Sequence, residues 1–173
     1  MHLTVDNGLF SSDIINSPYG KTECWYIIDC EEDAYLILGF DNNITPEEFK
    51  SAIENNTLTD YVSKVPVKKG DFFFIESGTL HAICKGILLA EVQESSNTTY
   101  RIYDYNRVGN DGKPRELHVE DGAAVTKLEK YSQPDFCKGN NLDTDERKLL
   151  ADCPLFKVWK LDLDGEISGI ADE

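Results

Sequence analysis

The sequence predicts a mainly β protein, an antiparallel sandwich or barrel with one or two short helices. Two observations carry this. Apolar and β-branched runs of strand length recur along the chain, and several alternate with period two, so that successive side chains would face opposite sides of a sheet. Short separators of tight-turn composition, "EED", "KKG", "ESG" and "CKG", stand between them.

In chain order the predicted strands are "CWYIID" (24–29), "AYLILGF" (34–40), "DFFFIE" (71–76), "GILLAEVQE" (86–94), "TTYRIYDY" (98–105) and "LFKVWKLDL" (155–163). In "TTYRIYDY", alternation puts Tyr100, Ile102 and Asp104 on one face and Arg101, Tyr103 and Tyr105 on the other. One helix is well signalled between the second and third runs. Thr45 can cap it, Pro46 suits its first position, Glu48 completes a capping box, and Phe49, Ala52 and Ile53 form an apolar stripe that ends at Asn55-Asn56. A second, weaker helix is predicted over 119–129. The polar, turn-rich segment 132–154 reads as a connector, which divides the chain into a barrel over 1–131, a linker, and the start of a second β domain over 155–173. The first residues open without a turn or cap, and the last lead toward a strand that never arrives. An unpaired terminal strand exposes a hydrogen-bonding edge, so the sequence reads as part of a longer protein.

Composition narrows the function. At 173 residues with 40% apolar content, the chain is long enough to bury a real core. A formal charge of −15 argues against nucleic acid or an anionic membrane as partner, because both select basic surfaces. No stretch approaches the roughly 20 apolar residues of a membrane span. "MHLTVDNGLF" lacks the basic and apolar regions of a signal peptide. The five cysteines include no CxxC, which suits reduced thiols in the cytoplasm. Against the acidic background, Arg101, Arg107 and Arg115 gather in one short segment.

Three stretches carry candidate chemistry. "PVKKGDFFFIESGTLHAICKG" delivers His81 three residues after Gly78, in a G-x5-E-x-G-x2-H pattern. The pattern is close to the second metal motif of cupin β-barrels, with Glu76 in place of the usual proline. "YGKTECWYIID" puts Glu23 at the start of an apolar strand, where a surface carboxylate is the ordinary reading. "EVQESSNTTYRIYDYNR" sets Arg101 among tyrosines; the ordinary reading is a carboxylate pair or stacking, the functional one an oxyanion clamp.

Together these stretches, with "RELHVEDG" and more weakly "FKVWKLDLDGE", resemble the zinc-dependent (type I) phosphomannose isomerases in their compact bacterial form. The resemblance runs from about Gly20 to Glu173. It implies a cupin-type, jelly-roll-like barrel, one Zn2+ ion, and cytoplasmic interconversion of mannose 6-phosphate and fructose 6-phosphate through a cis-enediol. It implies Glu23 and His81 as zinc ligands, Lys21 and Arg101 as cations for phosphate or enediolate, and Glu91 as an acidic pocket residue able to move a proton. The family's remaining ligands lie in a Gln-x-His-Pro segment upstream of the carboxylate. Here His2 is the histidine in that region, without the glutamine or the proline. The family's "SD" before "TTYR" is "SN", with Asn97 in place of aspartate.

With His2 at a frayed terminus, the expectation is weak zinc binding and poor turnover by this chain, as a monomer or weak dimer. The alternative is a non-catalytic cupin module that senses a sugar phosphate or binds metal. A cupin Fe(II) dioxygenase gains nothing from an arginine-lined phosphate site. His118, in "RELHVED", reads as structural.

Overall fold

The computed structural model describes residues 3–6, 20–96, 99–105, 107–109, 111–134 and 147–162. Among these, ten strands and two α-helices occur, and every strand pairing is antiparallel. The strands are β1 (Leu3–Asp6), β2 (Glu23–Cys30), β3 (Tyr35–Phe40), β4 (Val62–Pro66), β5 (Phe72–Ile75), β6 (Leu80–Ile83), β7 (Ile87–Gln93), β8 (Thr99–Tyr103), β9 (Arg147–Asp152) and β10 (Lys157–Leu161). The helices are α1 (Pro46–Glu54) and α2 (Val119–Val125). Two compact units result, Met1–Ser132 and Gln133–Glu173.

In the first unit, a five-stranded sheet of order β4-β3-β6-β1-β8 accompanies a three-stranded sheet of order β5-β2-β7. Side-chain alternation divides the larger sheet into two faces. On one face Ile37, Ala82, Leu80, Val5 and Tyr100 join Phe49, Ala52 and Ile53 of α1 in a buried cluster. On the other, Leu36 and Leu38 meet Trp25, Ile27 and Ile75 of the smaller sheet. Each fully buried aliphatic or aromatic side chain stabilises the fold by about 1.5–3 kcal/mol, so these two layers hold the unit together.

Thr45 caps α1 as its sequence predicts, and Glu48 closes the reciprocal bond to the Thr45 amide at 2.7 Å. Helix α2 is shorter than predicted. Thr126 leaves helical geometry with its hydroxyl bonded to the Gly122 carbonyl, and Lys127 N–H then donates to the Gly78 carbonyl. Gly122 permits close docking on β8, since a Cβ there would lie 1.9 Å from Ile102 Cδ1.

Three strands escape the sequence prediction: β1, β4 and the separate β6. Within 132–154, read as a connector, Arg147–Asp152 forms β9 and pairs with β10. Its alternation is interrupted, because Leu149, Leu150 and Ala151 are all buried. Residues 163–173, the end of the expected second domain, lie outside the described residues.

Strand parity also breaks in "TTYRIYDY". Strand β8 stops at Tyr103, a register shift at Leu3/Thr4 sets Leu3 opposite Tyr103, and Tyr105 has φ +55°. Tyr103 therefore joins Tyr100 and Ile102 in the helix-side core and pairs with the Tyr105 ring at 4.9 Å. Arg101 does not sit between two tyrosines.

Candidate metal and substrate site

The site begins with the turn that precedes β6. Gly78 has φ +84°, a conformation costly for residues with a Cβ, and a Cβ there would lie 2.7 Å from the Val125 carbonyl oxygen. Its amide donates to the Asp6 carbonyl, while its own carbonyl accepts from Lys127. One glycine thereby ties the end of β1, the start of β6 and the exit of α2. Glu76, which stands where the cupin motif has proline, adds an exposed ion pair to Lys127 at 2.9 Å. The turn sets the register that brings Thr4 opposite His81, with Arg101 opposite Thr4 on the other side.

Three buried side chains then converge: Asp6 from β1, Glu23 from β2 and His81 from β6. One ligand atom of each lies within 4.8 Å of the others. His81 Nε2 stands 3.7 Å from Glu23 Oε1 and 3.9 Å from Asp6 Oδ2. On the far side of the ring, Nδ1 contacts the Thr79 carbonyl at 2.9 Å. A carbonyl can only accept, so Nδ1 carries the hydrogen, and in the neutral ring the Nε2 lone pair faces the carboxylates. The spacings from Nε2 exceed hydrogen-bond length. Ligands of a tetrahedral ion at ~2.0–2.2 Å stand ~3.3–3.6 Å from each other, close to what is seen here.

Lys21 partly offsets the two carboxylates. Its Nζ lies 2.6 Å from Glu23 Oε2, 3.2 Å from Asp6 Oδ2 and 4.0 Å from Glu91 Oε1. Burial opposes its charge, but the bonds to Glu23 and Asp6 outweigh burial and hold the ammonium above its ordinary pKa. Glu23 is pushed up by burial and by the Asp6 charge, against the pull of His81 and Lys21. Thr99 donates to Asp6 Oδ1 at 2.7 Å. With His81 neutral, the two carboxylates and one ammonium leave a net single negative charge around the imidazole lone pair. Two carboxylates, one imidazole and that charge fit a divalent cation with a coordination position left open.

The cluster borders a cleft of about 360 Å³ lined by Lys21, Glu23, Trp25, His81, Glu91 and Thr99, among others. Glu91 sits across the strand pair from Trp25 with its side chain about one-third exposed. The structure thus brings together Lys21, Glu23, His81 and Glu91. His2 lies outside the described residues, as does Asn97.

Arg101 shares the inward-facing row with Thr4 and His81, but its Nη1 donates to the Glu116 carbonyl at 3.0 Å. The expectation that Lys21 and Arg101 converge as two uncompensated cations is not met, since Lys21 is bonded to carboxylates and Arg101 to a carbonyl. His118 accepts the Arg101 backbone N–H through Nδ1 and returns its own N–H to the Arg101 carbonyl, a structural engagement with β8.

Asp6 was missed in the sequence. The available signal was a carboxylate closing an apolar run, "LTVD", the mirror of Glu23 opening one. A tetrapeptide next to a polar stretch is too short to identify as a buried central strand.

No family model matches the chain. Among curated proteins it is 42% identical over 153 residues to the mannose-6-phosphate isomerase ManA of Bacillus subtilis, covering 88% of this chain and 48% of that protein. It is 39% identical over 150 residues to the mannose-6-phosphate isomerase of Streptococcus mutans, covering 86% of this chain and 46% of that protein. The crystal structure of the Bacillus subtilis mannose 6-phosphate isomerase superposes with a TM-score of 0.82 at 32% identity, over 95% of this chain and 52% of that one. The chain spans about half the length of the curated relatives it matches.

Proposed function

We propose, from its homology to mannose-6-phosphate isomerases over most of its length, that this chain forms the metal-binding part of such an enzyme. It would interconvert mannose 6-phosphate and fructose 6-phosphate. The observation that carries the proposal is the buried Asp6–Glu23–His81 cluster at ion-holding separations beside a cleft of sugar size. On this reading the two facing sheets make a cupin-type barrel, and β9 with β10 begins a second β domain. The protein is cytoplasmic, a monomer or weak dimer, with no nucleic-acid partner. Cys24, Cys30, Cys84 and Cys153 are thiols, as that compartment requires.

Asp6, Glu23 and His81 would hold the ion, which is zinc by the family resemblance. When bound, the ion supplies electrostatic stabilisation of the negative charge that develops on the sugar oxygens as the C2–H bond breaks. Lys21 keeps both carboxylates ionised and aimed. Glu91 is the cleft carboxylate left partly exposed, so it is placed to take the proton from C2 and return it to C1 of the resulting cis-enediol. Arg101 would bind phosphate by exchanging the Glu116 carbonyl for phosphate oxygens, where a planar guanidinium can make two parallel bonds.

The engagement of Arg101 and Lys21 by other groups favours a second reading, a metal-binding cupin module that senses a sugar phosphate without turning it over. Zinc calorimetry and a coupled isomerase assay, run on this chain and on a protein of the relatives' full length, separate the two. One ion per chain and turnover in the longer protein support the isomerase. Zinc and mannose 6-phosphate binding without turnover in either supports the sensor, and failure to bind zinc removes both.

A further inference from the structure

Trp25 lies one turn of the pleat beyond Glu23 on β2, on the same inward face. It is 1% exposed and packs with Leu36, Leu38 and Ile75 between the sheets. The ring also forms part of the cleft wall and meets the His81 imidazole edge-on, with centroids 5.4 Å apart at 82°. Its indole Nε1–H is buried and has no hydrogen-bond partner among the described residues. A buried N–H without a partner is costly, and a phenylalanine would fill such a core position without that cost. Indole nitrogen can donate but cannot accept. The missing partner is therefore an oxygen, and the cleft is where a ligand could bring one.

We propose that Trp25 positions the sugar phosphate by donating its indole N–H to a substrate oxygen, on the wall that also presents Glu91. The inference rests on the sugar-phosphate reading of the cleft and deepens it. Glu91 is the Cα partner of Trp25 across β2 and β7, so a sugar oxygen held by the indole lies beside the carboxylate that moves the proton. Contact with His81 fixes the indole edge relative to the metal-binding cluster. Trp25 thus sets where the reacting carbons stand between ion and base.

The chain has two tryptophans, so two indole N–H resonances are expected in a ¹⁵N–¹H spectrum, and Trp159→Phe assigns them. Titrating the zinc-loaded chain with mannose 6-phosphate should move the Trp25 indole N–H downfield, together with the backbone amides of Lys21 and Glu91. The Trp159 signal should stay in place.

Trp25→Phe, which keeps an aromatic ring against His81, should weaken mannose 6-phosphate binding roughly five- to tenfold, the size of one neutral hydrogen bond. In a protein of the relatives' length it should raise KM by a similar factor and change kcat by less than about twofold. If Lys21 and Glu91 amides shift while the Trp25 indole does not, the inference is wrong and the cleft reading stands. If no cleft resonance responds, both fall. The titration uses the native tryptophan, so it decides the matter even if Trp25→Phe folds poorly.

Discussion

Lys21 is the residue on which the unliganded site depends. Its ammonium bonds two carboxylates that are each 1% exposed, and removing one partner of a buried ion network leaves charge uncompensated. Lys21→Met should therefore destabilise the metal-free chain by about 3–5 kcal/mol. Saturating zinc should recover much of that loss, because a divalent ion neutralises the same carboxylates. Urea unfolding with and without zinc measures both effects; an unchanged midpoint without zinc would show that the pairing contributes nothing.

A second charge cluster behaves oppositely toward acid. Asp104, 4% exposed, accepts from Arg115 and Arg107, and these bonds, Arg115 first, hold its carboxyl well below the ordinary 3.8 against the opposing effect of burial. A depressed carboxylate pKa contributes stability that is complete above the unfolded value and is lost as pH falls through the folded one. The contribution should thus be whole at pH 5–7 and decline below about pH 4, moderated because both arginines are partly exposed. Asp104→Asn should narrow the stability gap between pH 6 and pH 3, read from urea midpoints. An equal gap in the two proteins would remove Asp104 from the acid response.

At the scale of elements, the turn before β6 does the positioning. Gly78→Ala would force a left-handed backbone onto a residue with a Cβ and drive that carbon toward the Val125 carbonyl. It should cost at least the ~1–2 kcal/mol of a left-handed residue. Because the Gly78 amide holds the Asp6 carbonyl, zinc affinity should fall along with stability. Zinc calorimetry on folded Gly78→Ala checks the coupling, and unchanged affinity would mean that β1 and β6 hold their register without the turn. Helix α1 was legible because its signals are local: cap, proline and apolar stripe fall within nine residues. Helix α2 was legible as an element but too long, since its end is set by hydrogen bonds to a turn some forty residues away. Strand β1 was invisible, because four residues buried by two neighbouring strands have no period of their own to show.

For the whole molecule, the cluster predicts that metal stabilises the first unit globally. Its three ligands come from three strands in two sheets, so an unfolded chain cannot present them together. At a free zinc concentration a hundred times the dissociation constant, stability should rise by about 2.7 kcal/mol. Asp6→Ala should remove most of that gain. Differential scanning calorimetry with a chelator control reads it, and a gain surviving in Asp6→Ala would assign the third ligand elsewhere, His2 being the first residue to test.

The sequence by itself determined what depends on neighbours along the chain: the β composition, the capped helix, and the Gly78-to-His81 spacing that singles out the histidine. Through resemblance it also indicated Glu23, Lys21 and Glu91. Tertiary structure decided what depends on pairing across the sheets. It recruited Asp6 as a third buried ligand group, because register sets Thr4 opposite His81 and brings the next residue of β1 against Glu23. It bonded Lys21 to carboxylates and turned Arg101 to the Glu116 carbonyl, because a buried cation takes the nearest acceptors the packing offers. Alternation tells which face a side chain takes, and the fold tells what waits for it there.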